Sequence, residues 1–191
     1  METHLLHNYC EGKRSMMIKG SAKQMQIEIV PVSVDEKEIL RNLLEKYNFE
    51  FSQWDKRDVN DLGLYGYKYL DHYWTEKERY AYFIKADGKL AGFAMINAYA
   101  DTEEPVDHGI AEFCIMPKYR RMGVGKTALF QILDKIHGKW HLKMHPHNIA
   151  AKKFWCNAIS EYTKGNYRLY EAVEGTEFDD GTPEDQIFFE N

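Results

Sequence analysis

The residues of this chain best suited to do chemistry lie between Ala111 and Phe130. The stretch opens with an apolar run, Phe113 to Met116, that reads as a buried strand. Pro117 stops it, because proline has no N–H to give to a sheet ladder. Gly123 and Gly125 follow, and Val124, Leu129, Ile132, Leu133 and Ile136 then mark one side of a helix. A strand that turns through glycines into a helix can hold a phosphate. Glycine lets the backbone come close to a ligand, and the first helical N–H groups have no partner within the helix. Those groups and the positive end of the helix dipole attract an anion. Arg120, Arg121 and Lys126 add positive charge at the same turn.

Two well-known glycine loops fit poorly. Gly-Val-Gly-Lys-Thr looks like the end of a P-loop, but Arg120 stands where that motif needs its first glycine. No later apolar strand ends in an aspartate that could hold magnesium, so a nucleotide hydrolase is a remote reading. A dinucleotide fingerprint fails as well, because the single Gly-x-Gly pair is not followed by a second βαβ unit.

The spacing that fits is Arg-x-x-Gly-x-Gly, filled by Arg120, Gly123 and Gly125. With its preceding strand and following helix, it resembles motif A of the GNAT superfamily of N-acetyltransferases. A second segment, Asn148-Ile-Ala-Ala-Lys-Lys-Phe-Trp155, is similar to that superfamily's Asn-x-x-Ala-x-x-aromatic-Tyr helix except at its last position. The resemblance is clear over residues 109–160 and weaker from Gln26 onward. It implies an α/β (α+β) GNAT fold, with a mixed, mostly antiparallel sheet and helices on both faces. It also implies acetyl-CoA as cosubstrate, inserted where the strands holding Cys114–Met116 and His141–His145 diverge, and an amine as acceptor.

Residue roles follow from the same resemblance. Cys114, Ile115 and Met116 would line the pantetheine arm, with the Met116 N–H as the oxyanion donor. Arg121, Met122, Gly123, Val124, Gly125 and Lys126 would wrap the diphosphate, mainly through main-chain N–H groups. A Gly125→Glu side chain is expected to fill the diphosphate space. Asn148 would touch the cofactor, cap the helix, or do both. Glu112 is the candidate general base, because period two puts it on the strand face of Cys114 and Met116. A salt-bridged structural Glu112 is the competing reading. Glu103, Glu104 and His145 are weaker candidates. Trp155 departs from the family, whose tyrosine there protonates the leaving thiolate. Indole is a donor but no usable acid. Cys156, Tyr162 or water would then deliver the proton, or the chain would be a catalytically silent acyl-CoA-binding regulatory module.

Four histidines, His137, His141, His145 and His147, invite a metal reading. His141 and His145 share a strand face with Lys143 between them, and no four-ligand spacing is complete, so no metal is expected. Cys114, in an apolar strand, reads as inert core rather than a nucleophile. Tyr65, Tyr67, Tyr69, Tyr73 and Trp74 crowd one short segment near Asp55, Asp58, Asp61 and Asp71. They read as core packing, or as an acceptor-cleft wall suited to a cationic amine.

The elements that must position these residues follow from periodicity. Residues 1–24 read as a disordered extension or a cloning remnant, and residues 25–191 as a single domain with Met25 as its candidate start. Gln26 to Val32 alternates as a strand, and Asp35 caps a helix through Tyr47. Residues 54–66 read as a loop and the aromatic segment as a short helix. Asp87-Gly88 joins two strands as a hairpin. Beyond His137-Gly138 come a strand over 139–145, a helix from Asn148, a strand over 162–173, an acidic connection over 175–185 and a final strand over 186–189.

Bulk properties narrow the function classes. The 191 residues are 44% apolar, enough for one full core, and the net charge of −5 argues against nucleic acid. No apolar run is long enough to span a bilayer, and no signal-peptide core is visible. Three unclustered cysteines fit a reducing, cytoplasmic setting. No Lys or Arg follows Arg168, and that acidic end reads as a solvated surface, or as a charge that favours a cationic small-molecule acceptor. A homodimer is compatible with this reading.

Overall fold

The strands and helices form in the order read from the sequence, and they build one mixed sheet. The computed structural model describes residues 25–99, 102 and 104–191. The expected extension over 1–24 and the candidate Glu103 lie outside the described residues.

The strands are β1 (Ile27–Pro31), β2 (Arg79–Ala86), β3 (Lys89–Asn97), β4 (His108–Ile115), β5 (Lys139–Met144), β6 (Tyr167–Glu177) and β7 (Pro183–Glu190). The helices are α1 (Lys37–Asp55), α2 (His72–Thr75), α3 (Val124–Lys135) and α4 (Ile149–Thr163). Sheet order is β1-β2-β3-β4-β5-β7-β6. Every neighbouring pair is antiparallel except β4 with β5. Parallel strands need a crossover, and α3 supplies it. Asp87 and Gly88 both take positive φ, as the tight β2–β3 hairpin requires.

Two cores flank the sheet. On one face, Leu129, Ile132 and Leu133 of α3 and Trp155 and Ile159 of α4 pack on Ile84, Ile96, Ile110, Leu142 and Ile187. On the other, Leu40, Leu43 and Leu44 of α1 and Tyr73 of α2 pack on Phe83, Phe93, Met95 and Cys114. Helices therefore cover both faces, as expected.

Several boundaries differ for physical reasons. The cap before α1 is not Asp35: the Glu36 carboxylate reaches back to the Ser33 N–H at 3.2 Å and opens a turn of 3₁₀ helix over Val34–Glu36. α1 runs on to Asp55 and ends at Lys56 in the left-handed conformation. The acidic connection is mostly strand. Glu184 and Asp185 are buried in β7 because Lys143 and Lys152 neutralise them at 2.6 and 2.7 Å.

Candidate functional site

The β4–β5 ladder holds for only three residue pairs, His108 with Trp140, Gly109 with His141 and Ile110 with Leu142. Beyond Ile110 and Leu142 the two strands part. β4 is also bulged: Met95 pairs with Glu112 while Ile96 pairs with Ile110, which leaves Ala111 as the extra residue. A bulge re-aims the side chains after it. Ile110 therefore faces α3 and α4, whereas Glu112 and Cys114 face α1 and α2.

The phosphate turn closes the same end. Residues 117–119 form a single 3₁₀ turn, Arg121 and Gly123 take positive φ, and α3 starts at Val124. The first α-helical bond runs from the Thr127 N–H to the Gly123 carbonyl at 3.0 Å. The N–H groups of Val124, Gly125 and Lys126 thus have no carbonyl one turn behind them. A Cβ on Gly123 would meet nothing within 4 Å, so the outer side of the turn is open. These features fit a diphosphate: free donors, a helix N-terminus and room for close approach. Met122 is exposed beside them.

The Cβ side of Gly125 faces packed side chains and not the open side of the turn. A Cβ there would lie 3.2 Å from both Ile115 Cγ1 and Phe154 Cε2. The glycine lets α3 sit tightly on β4 and α4. Glutamate at this position would press on packed side chains and not fill the phosphate space. Of the flanking cations, Arg121 is exposed, whereas Arg120 and Lys126 are paired within the protein. Arg120 grips Glu50 of α1 with two bonds of 2.6 Å and donates through Nε to the Ile115 carbonyl at 2.7 Å. Lys126 Nζ reaches Glu161 of α4 at 3.0 Å. Arg120 therefore fastens α1 to the turn.

The expected oxyanion donor needs correction. The Met116 N–H donates to the Ala91 carbonyl at 2.8 Å, so it belongs to the β3 side. Antiparallel alternation then commits Cys114 to β3 as well and turns the main-chain groups of Phe113 and Ile115 toward the gap. The direction of an N–H depends on which neighbour pairs with which residue, and periodicity does not reveal that. The Cys114 side chain is buried on the α1 side, and burial pushes its thiol up to about 11, so it is inert. Cys114 and Met116 line a cavity of about 510 Å³ with Lys46, Tyr47, Glu50 and Arg120.

Glu112 lies just past the point where the strands part, half-buried on the α1 side. Burial raises its carboxyl to about 7, against the opposing pull of the Tyr47 and Tyr67 hydroxyls, Arg57 and Lys143. Burial also holds both tyrosines well above their ordinary range, so they are neutral donors. Neither was singled out as a partner of Glu112. Tyr47 reads as one more apolar position of α1, and Tyr67 as one of a crowd. That crowd divides. Tyr67 faces Glu112, Tyr73 is core, Tyr65 bonds Ser52 at 2.9 Å, and Trp74 donates to the Val32 carbonyl at 3.0 Å. Of the expected acidic wall, Asp55 is buried against Arg57 and Asp71 pairs with Lys37 at 2.9 Å.

The remaining candidates are dispersed. Glu104 is held by Arg168, which keeps its carboxyl below the usual range, and it is not placed to act as base. Tyr162 donates to Asp134 at 2.8 Å beside Phe130, so it is not the proton donor. The Cys156 thiol is raised by burial and faces Tyr167 and Lys152. Trp155 is buried, with its ring 5.2 Å from Phe113 and 4.9 Å from Phe154. Asn148 caps α4 by accepting from the Ala151 N–H at 3.1 Å. His145 is fully buried against Phe51 and Phe178.

The model of the acetyltransferase (GNAT) family matches residues 39–157. No curated protein sequence matches the chain. Among solved structures, a GNAT-family acetyltransferase of Bacteroides thetaiotaomicron is 19% identical with a TM-score of 0.54, covering 86% of this chain and 87% of that one. The PaiA N-acetyltransferase of Thermoplasma acidophilum, solved in complex with coenzyme A, is 17% identical with a TM-score of 0.55, covering 87% and 100%. A spermidine N-acetyltransferase chimera from Vibrio cholerae is 13% identical with a TM-score of 0.58, covering 86% and 95%. At these identities the structures share the fold.

Proposed function

Since this chain belongs to the acetyltransferase (GNAT) family, we propose that it transfers an acetyl group from acetyl-CoA to a primary amine by direct attack. The observation that carries this reading is the parting of β4 and β5 after Ile110, closed at its far end by the free N–H groups of the Gly123 turn. Acetyl-CoA, when bound, supplies the activated acetyl thioester. The N–H groups of Val124, Gly125 and Lys126 hold the diphosphate. Main-chain groups of Phe113 hold the pantetheine arm. The Ile115 carbonyl is taken by Arg120, and the Ile115 N–H replaces Met116 as the oxyanion donor. Glu112, on the α1 side of the gap, takes the proton from the incoming amine, directly or through one water.

A small cationic amine is the favoured acceptor over a peptide or protein amine. The β6–β7 hairpin offers Glu171, Glu174, Glu177 and Asp179 and carries no lysine or arginine after Arg168. The acceptor arrives protonated and must be neutral to attack, which gives Glu112 its task.

The buried Trp155 favours a second reading, an acyl-CoA-binding regulatory module without turnover. Thiolate is a tolerable leaving group without an acid, because a thiol has a pKa of about 8.5. Thiol release from acetyl-CoA over a panel of small amines and peptides separates the two. Release above background with at least one amine supports the transferase. Tight CoA binding with no release for any amine supports the module.

A further inference from the structure

The turn between β6 and β7 folds back over the end of β5. Phe178 packs on His145 with 4.8 Å between ring centroids and on Phe51 with 5.9 Å. His145 is fully buried, and its Nε2 has no hydrogen-bond partner. That nitrogen points at Asp180, with Oδ2 3.4 Å away. His147 brings a third donor, and one donor atom from each of the three residues falls within 4.8 Å of the others.

We propose that His145, His147 and Asp180 form a binding site for one divalent transition-metal ion of the zinc class. The 3.4 Å separation is long for a charge-assisted hydrogen bond, which settles at about 2.7–2.9 Å. It matches an edge of a tetrahedron: two ligands each about 2.05 Å from a shared zinc stand roughly 3.3 Å apart. Two imidazoles and one carboxylate suit zinc, cobalt or nickel and leave a fourth position for water. Calcium and magnesium prefer all-oxygen sites. Asp180 is already oriented, because the Thr182 N–H and hydroxyl donate to its two oxygens at 2.9 and 2.7 Å.

This site differs from the strand-face pair that the sequence suggested and that Lys143 argued against. His141 stacks on Phe188, and Lys143 is drawn to Glu184 at 2.6 Å. The ligands come instead from the end of β5, the loop before α4 and the β6–β7 turn. Ligation through Nε2 needs a proton on Nδ1. The 3.3 Å contact that Nδ1 accepts from the His147 N–H is given up when metal binds, which is a modest cost for so long a contact. The bound ion would lock the β6–β7 turn to β5 and hold Phe178 against Phe51, beside the acceptor side of the gap.

The test uses the full chain, stripped with a chelator and titrated with Co²⁺ and then Zn²⁺ in the absence of any CoA compound. One equivalent of Co²⁺ should develop the intense visible absorption of a tetrahedral centre, and Zn²⁺ should abolish it. Zn²⁺ should also raise the thermal midpoint. Asp180→Asn and His147→Ala, both at exposed positions, should each weaken binding at least about tenfold. Absence of binding at about 100 μM metal overturns the proposal. So does binding that survives in the double variant.

Discussion

Glu112 shows what a single residue owes to its surroundings. Its carboxyl is raised to about 7 because burial outweighs two tyrosine hydroxyls and two cations. A base near pH 7 is half-ionised where the reaction runs, which suits general-base work. Glu112→Gln should lower kcat by about 10²–10³-fold and leave CoA affinity unchanged. The wild-type rate should climb with pH through about 7, and the variant should lose that limb. Stability has the opposite sign. A carboxylate raised on folding contributes fully below its unfolded pKa of about 4.3, and the contribution is lost as pH rises through about 7. The ionised wild type should therefore be less stable than Glu112→Gln by roughly 3 kcal/mol at pH 8 and by little at pH 4, measured by urea unfolding. A constant gap across that range would show that Glu112 is not desolvated.

The face of Glu112 was legible in the sequence, because Cys114 and Met116 follow it at period two. The reason it faces α1 while Ile110 faces α3 was not, because the bulge at Ala111 leaves no mark in composition. The polarity of the Met116 N–H was hidden in the same way. It is set by pairing with Ala91, far away in sequence.

At the scale of elements, the strand–turn–helix unit from β4 to α3 was the most readable part of the chain, since proline, glycine and helical spacing all agree there. What spacing could not separate is the work of its two glycines. Gly123 has positive φ and open space, whereas Gly125 is pressed between Ile115 and Phe154. Gly123→Asp and Gly123→Asn are nearly isosteric, and both residues tolerate the left-handed conformation better than most. Aspartate at the turn should cut CoA affinity by at least about tenfold more than asparagine does, at similar melting temperatures, because only it repels a diphosphate. Equal affinities by calorimetry would mean that the anion sits elsewhere. A second element-level link is the Arg120–Glu50 fork between the phosphate turn and α1. Glu50→Gln should lower stability by about 1–2 kcal/mol and weaken CoA binding only slightly, since the main chain holds the anion. A large loss of CoA affinity would assign Arg120 to the ligand.

Across the whole molecule, the sheet separates two tasks. In the function proposed above, the Gly123 turn serves the donor and α1 with the β6–β7 turn serves the acceptor, while α3 and α4 pack on one face of the sheet and α1 and α2 on the other. Element order followed from hydrophobic period, helices on both faces followed from the family resemblance, and the two-motif spacing pointed to the family that the match over residues 39–157 establishes. Long-range pairing was out of reach. Glu184 and Asp185 look like a solvated loop until Lys143 and Lys152 are seen beside them. The approach of Asp180 to His145 depends on the same return of β7. No helix among the described residues is long and apolar enough to cross a membrane. Phe51 of α1 packs between Trp54, His145 and Phe178, on the side proposed for the acceptor. Phe51→Ala should raise KM for the amine several-fold without changing CoA affinity, and a matching loss of CoA affinity would place Phe51 on the donor side instead.

In the proposed function, free main-chain donors at the Gly123 turn and the parted strands β4 and β5 together make an acetyl-CoA site. A crystal structure of the chain with a non-hydrolysable acetyl-CoA analogue tests it most directly. The diphosphate should lie on the N–H groups of Val124 to Lys126, with the thioester carbonyl against the Ile115 N–H and Glu112 across the gap. A diphosphate bound away from that turn, or a gap closed by side chains with the analogue outside it, would contradict the account.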